Sequence, residues 1–184
     1  KRQEETSSSS ATGIIMDPET GEILAMATTP GFNNNHFGST RPEFHRIKSI
    51  TDQFEPGSTF KVVSTVSALY DGLISLNDEF NCENGSFEYH TKEITDHESY
   101  SMLTASQIIH HSSNIGIIKI MDQVGPKRLF SMSRDFGFGS RTGINLNGEV
   151  SGKLNHFNDW SAVSLGMIAM GHEVGVTAIQ LASA

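Results

Sequence analysis

The chain has 184 residues, 36% of them hydrophobic, enough to bury one core, and nothing in it suggests two complete domains. A net charge of −8 without any cluster of Lys or Arg excludes a protein that tracks nucleic-acid phosphates. The single cysteine, Cys82, excludes a disulfide framework and a cysteine-rich zinc site, and no stretch approaches the roughly 20 apolar residues of a membrane span.

Residues 1–12 read as a linker or frayed end, polar and serine-rich up to Ala11 without apolar periodicity, and the domain is expected over 13–184. Residues 14–16 and 23–28 read as strands around Asp17-Pro18-Glu19-Thr20-Gly21, where proline suits the second position of a type I turn and glycine the left-handed closing position. The unbroken apolar run over 23–27 predicts a strand covered on both faces, in the main sheet. Residues 30–42, rich in Asn, Gly and Pro, predict a long loop. After Pro56, a residue at home in a first helical turn, Val62-Val63, Val66 and Leu69-Tyr70 recur at helical spacing and Gly72 offers a stop. A helix is therefore expected to about residue 71. Residues 81–85 predict a turn and 86–89 a short strand. Helices follow over 104–111, over 115–124 before Gly125-Pro126, and over 127–136 before Gly137.

Two motifs carry chemistry. Ser58-Thr59-Phe60-Lys61 places a hydroxyl and an amine on one face of a helix's first turn, so the Lys61 amine can reach the Ser58 hydroxyl. The free N–H groups there favour developing negative charge. A serine needs such help to act as a nucleophile. The plainer reading is an exposed lysine on an amphipathic helix. Ser112-Ser113-Asn114 then separates two apolar helical stretches. It is a short loop aiming side chains into a cleft, or a helix boundary made of good capping residues.

Other prominent residues read as structural. His110 and His111 are adjacent and cannot share a helix face, and His172-Glu173 lacks the second histidine of a metalloprotease helix, so no metal is expected. Gly137, Gly139 and Gly143 lack the spacing of a dinucleotide or phosphate loop. Met121, Met132, Met167 and Met170 read as gap-fillers in the core. Asp96 and His97 read as a satisfied loop contact more readily than as a pair near the cleft.

The two motifs together resemble the penicillin-binding protein and serine β-lactamase superfamily, whose signature is Ser-x-x-Lys, Ser-x-Asn and Lys-Thr-Gly. The stretch from Gly13-Ile14-Ile15-Met16-Asp17-Pro18 to Met26 is similar to the opening hairpin of class B penicillin-binding proteins, the monofunctional transpeptidases. Ile50-Thr51-Asp52-Gln53-Phe54-Glu55-Pro56-Gly57-Ser58 is similar to the lead-in to their nucleophile. Phe136-Gly137-Phe138-Gly139 and Gly171-His172-Glu173-Val174-Gly175-Val176-Thr177 continue the likeness in the family's order. Arg141-Thr142-Gly143 belongs on this resemblance to a separate loop, not to the Lys-Thr-Gly strand, which is expected beyond Ala184.

The resemblance implies an α+β, β-lactamase/transpeptidase-like fold, an antiparallel sheet flanked by helices and incomplete at the C-terminus. Unpaired strands would then favour association of the isolated chain and weaken its activity. It implies catalytic Ser58, Lys61, Ser112 and Asn114, with Ser113 as a substrate contact, and no cofactor. Ser58 would attack the penultimate D-alanine carbonyl of a peptidoglycan stem peptide, Lys61 would take its proton, Ser112 would protonate the departing amine, and Asn114 would hold the donor's backbone. A neighbouring stem's amine would release the acyl-enzyme, and a β-lactam would stall there. Implied partners are stem peptides and β-lactams, with division or elongation machinery left open. The implied location is the outer side of a cell membrane, through an anchor ahead of the catalytic domain. A serine β-lactamase or β-lactam sensor, or a non-catalytic scaffold of cell-wall synthesis, are the alternative readings.

Overall fold

The computed structural model describes residues 2–184. A helical turn, α1 (Arg2–Glu5), precedes the hairpin of β1 (Ala11–Met16) and β2 (Ile23–Thr29). Two 3-10 turns, Asn34–Ser39 and Pro42–His45, break up the expected long loop before α2 (Lys48–Thr51). A further 3-10 turn, Gly57–Phe60, runs straight into α3 (Lys61–Tyr70). Then come β3 (Glu79–Asn81), β4 (Ser86–Tyr89), β5 (Lys92–Thr95) and β6 (Met102–Thr104). Five helices follow, α4 (Ala105–His111), α5 (Asn114–Val124), α6 (Pro126–Asp135), α7 (Ser164–Ala169) and α8 (Ala178–Ser183), with a largely irregular stretch between α6 and α7.

α5 is the axis of the core. Ile115, Ile117, Ile118, Ile120 and Met121 are all fully buried, so the helix is covered almost all round. It packs on α3, α4 and α7, and α3 packs on α6. Gly116 permits the approach of α4, because a Cβ there would stand 2.5 Å from the Ile108 side chain. Met121, Met132 and Met170 are buried in this cluster and Met167 packs against it, as expected of gap-fillers.

The strands form three two-stranded antiparallel sheets among the described residues, β1–β2, β3–β6 and β4–β5. The class is therefore α+β, with small sheets in place of one large one. The hairpin differs from expectation in cover. α2 and α8 pack against it, and Ile14, Met16, Met26 and Thr28 are half-buried, while Ile15 and Leu24 are 60% and 61% exposed. An apolar run alone does not distinguish one covered face from two. β1 also begins earlier than the hairpin predicted. Ala11 and Thr12 pair with Thr29 and Thr28, so the expected linker boundary falls inside the strand.

Candidate active site

Ser58 is exposed on the 3-10 turn that opens α3. That turn is fixed from two sides. Below it, Phe60 is fully buried with its ring centroid 5.2 Å from that of Phe138. Beside it runs the segment from Gly171 to Val176. Phe54 and Val176 exchange two backbone hydrogen bonds at 2.9 Å, and the Gly57 N–H donates to the Gly171 carbonyl at 3.1 Å. The Glu55 carboxylate meets His172 Nδ1 at 2.8 Å and accepts the Glu173 N–H at 2.9 Å. The His172 contact holds the Glu55 carboxyl below its usual range.

One turn on, Lys61 is 2% exposed. Its amine donates to the Ser112 carbonyl at 2.5 Å and to Asn114 Oδ1 at 2.7 Å, and lies 3.2 Å from Ser112 Oγ. Burial pushes its pKa down from 10.5 to about 8, against the opposing charge of Asp96. The expected Lys61–Ser58 hydrogen bond is not formed. The amine is turned across the cleft to the second motif, whose polar atoms satisfy a buried cation better than one exposed hydroxyl does.

The Ser112-Ser113-Asn114 segment is both a cleft loop and a helix boundary. Ser112 caps the end of α4 in the left-handed region, φ +55°, which turns its carbonyl toward Lys61. Ser113, expected as a substrate contact, lies beneath the surface. It is 1% exposed, and its hydroxyl donates to Asp96 Oδ2 at 2.6 Å and accepts the Gly116 N–H at 2.8 Å. It is the N-cap of α5. Asn114 bridges, with Oδ1 on Lys61 and Nδ2 on the Thr95 carbonyl at 2.9 Å. Asp96, expected as a loop contact with His97, instead grips Ser113 and the first N–H groups of α5. Nothing local in the sequence marks it, because its partners lie on another element.

The sequence profile of the penicillin binding protein transpeptidase domain matches residues 11–184. The chain belongs to the penicillin-binding protein transpeptidase family. It is 35% identical over 173 residues to Peptidoglycan D,D-transpeptidase FtsI of Escherichia coli, covering 94% of this chain and 29% of the relative. It is 33% identical over 175 residues to Probable peptidoglycan D,D-transpeptidase PbpC of Pseudomonas aeruginosa, covering 95% and 31%. Among solved structures, the apo transpeptidase domain of Burkholderia pseudomallei penicillin-binding protein 3 superposes with a TM-score of 0.86 at 27% identity, covering 98% of this chain and 50% of that one. The chain thus spans about 30% of the length of these curated relatives.

Elsewhere in this transpeptidase-family chain, Arg141-Thr142-Gly143 lies outside any strand. Glu149 clasps it, accepting from Thr142 N and Oγ1 at 2.6 Å and from Gly143 N at 3.2 Å. Among the described residues no group of three or more His, Cys, Asp and Glu side chains could hold a metal ion. None of their helices is long and apolar enough to cross a membrane.

Proposed function

We propose that this chain carries the serine acyl-enzyme machinery of a peptidoglycan D,D-transpeptidase, with Ser58 as nucleophile and Lys61 as its base. The observation that carries the reading is the Lys61 amine, nearly excluded from water, one turn from Ser58 and bonded to both Ser112 and Asn114. A surface lysine on an amphipathic helix would be neither buried nor bonded to the second motif. The names of the relatives, peptidoglycan D,D-transpeptidases, and the solved ampicillin complex of Mycobacterium tuberculosis penicillin-binding protein 3, TM-score 0.85 at 27% identity, support the substrate class and its β-lactam mimic.

The geometry defines what acylation requires. Beyond Cε the Lys61 nitrogen has three bonding directions, and all three are occupied at rest. With a pKa of about 8, about one amine in ten is neutral at pH 7. Ser112 Oγ, at 3.2 Å, is the longest contact and the one to be given up as the lone pair turns to Ser58. Ser58 Oγ then bonds to the penultimate D-alanine carbonyl carbon while its proton passes to Lys61. The oxyanion forms at the first turn of the helix, where the Ser58 N–H is a free donor. When the tetrahedral centre collapses and the C–N bond breaks, the protonated Lys61 amine turns back to Ser112 Oγ and passes it a proton as the Ser112 hydroxyl gives its own to the leaving D-alanine amine. An acceptor amine from a second stem attacks the ester, forming the cross-link and freeing Ser58. Asn114, anchored to Thr95, holds the donor peptide's backbone.

Because peptidoglycan stems lie outside the cytoplasmic membrane, the catalytic face of such an enzyme is extracytoplasmic. The assembly it serves is one of division, elongation or sporulation. The test is covalent labelling by a fluorescent penicillin: wild type is labelled and Ser58→Ala is not. Undiminished labelling of the alanine variant places the nucleophile elsewhere.

A further inference from the structure

Asp96 follows β5 and belongs to neither motif, yet its carboxylate is built into the site. Oδ2 accepts the Ser113 hydroxyl at 2.6 Å, and Oδ1 accepts the N–H groups of Asn114 at 2.5 Å and Ile115 at 3.1 Å. These donors belong to the start of α5, where N–H groups lack intrahelical acceptors and the helix dipole favours an anion. The preceding residue, Thr95, takes the Asn114 side-chain amide, so residues 95 and 96 grip Asn114 by both backbone and side chain. Ser112, next to the gripped segment, sits in a left-handed conformation that L-residues disfavour and that persists only where its surroundings impose it.

We propose that Asp96 is a positioning residue for acylation, holding Ser112 and Asn114 against the Lys61 amine and keeping a fixed negative charge beside that cation. The inference rests on the assignment of Ser58 and Lys61 above. Charge and geometry act together here. Asp96 favours the protonated amine while burial disfavours it. The other titratable groups around the site are committed elsewhere or lie on its rim. Tyr100 bonds to Glu98 and His111, whose ring packs on His110. Lys119 bonds to Glu83, and Tyr89 donates to Asp122. Cys82 Sγ is bonded to Ser113 Oγ and the Phe80 carbonyl, and His97 is exposed.

Asp96→Asn separates the two roles, because the amide can still accept from α5 and donate to Ser113 Oγ while the charge is gone. NMR of ε-13C-lysine in that variant should show the Lys61 midpoint lower than in wild type. The rising limb of the pH–rate profile for penicillin acylation should move to lower pH with it. Asp96→Ala, which loses the grip as well, should slow acylation about 10- to 100-fold. A purely structural cap would lower the melting temperature and move no midpoint. An unmoved Lys61 midpoint in Asp96→Asn overturns the proposal, as does wild-type acylation by Asp96→Ala. Wild type that takes no penicillin counts against the Ser58 assignment instead, and the lysine titration then still decides the role of Asp96. If Asp96→Asn does not melt cooperatively, Ser113→Ala carries the test. It removes one arm of the grip and keeps the charge, so about tenfold slower acylation at an unmoved midpoint supports the role and wild-type rates overturn it.

Discussion

A Cβ on Gly171 would stand 2.0 Å from the carbonyl oxygen of Gly57, closer than any pair of such atoms can be. Gly171 also has φ +85°, a region that L-residues avoid. Backbone lies on both sides of this contact, so no side chain can swing away to relieve it. Gly171→Ala should therefore destabilise the protein by about 1–3 kcal/mol and slow acylation, because the displaced backbone is the turn that carries Ser58. Gly143→Ala is the control. Its φ is +80° but nothing lies within 4 Å, so it should cost only the backbone term of about 1–2 kcal/mol and leave acylation unchanged. Thermal melting and penicillin labelling of the two variants make the comparison, and equal acylation in both would show that the close approach does not position Ser58.

The lowered pKa of Lys61 gives both a rate and a stability signature. Acylation should climb with pH and level off above about 8, as the amine loses its proton. For stability the unfolded chain binds more protons between about 8 and 10.5, so stability rises with pH across that window. The drop from 10.5 to about 8 corresponds to about 3 kcal/mol. Lys61→Met lacks this term. The melting temperature of the variant relative to wild type should therefore fall as pH is raised from 7.5 to 10.5, and a constant difference would mean that the amine is not desolvated.

Asn114→Asp should act in the direction opposite to Asp96→Asn. It places an anion at the position of an oxygen now 2.7 Å from the Lys61 amine, which raises the pKa of that amine. It also loses the donor that holds the Thr95 carbonyl. The rising limb of the acylation profile should move to higher pH, with slower acylation at pH 7. A limb that moves downward would show that Asn114 Oδ1 does not face the amine.

Glu149 is 8% exposed, and the donors of Thr142 and Gly143 outweigh the burial that opposes its ionisation, so its pKa lies below 4.5. Its stabilising contribution is present above that ordinary value and is lost as pH falls through the lower folded one. Glu149→Ala leaves three donors without acceptors and should cost about 1–3 kcal/mol. Penicillin acylation at 25 °C should be unaffected. A large loss of acylation with little loss of stability would instead make Arg141-Thr142-Gly143 part of the site.

Local signals in the sequence located α3 to α6, whereas α1, α2, α7 and α8, each of six residues or fewer, were not predicted. Thr104 forms a capping box with Gln107 at the start of α4, Pro126 opens α6, and Gly72 and Gly137 follow the ends of α3 and α6. The turn of the first hairpin was legible too, because Asp17 takes the N–H groups of Glu19 and Thr20 and Gly21 closes it. Non-local features were not. β3 pairs with β6 across the intervening β4–β5 hairpin, and neither strand is longer than three residues. Ser113 and Ser112 are alike as letters, and only the position of Asp96, seventeen residues upstream of Ser113, makes one a buried cap and the other a cleft residue.

The joint between α4 and α5 has no slack. α4 is capped by Ser112 and α5 by the next residue, so two residues satisfy the end of one helix and the start of the other, and Ser112 and Asn114 on either side of Ser113 present the atoms that meet Lys61. An inserted or deleted residue there would rotate α5 by about 100° relative to the loop, since each residue is a fraction of a 3.6-residue turn. The buried face of the central helix and the aim of the Asn114 side chain are thus geared to each other. Length at this joint is constrained more tightly than composition, and a repacked core would retune the cleft even if every residue of the two motifs were kept.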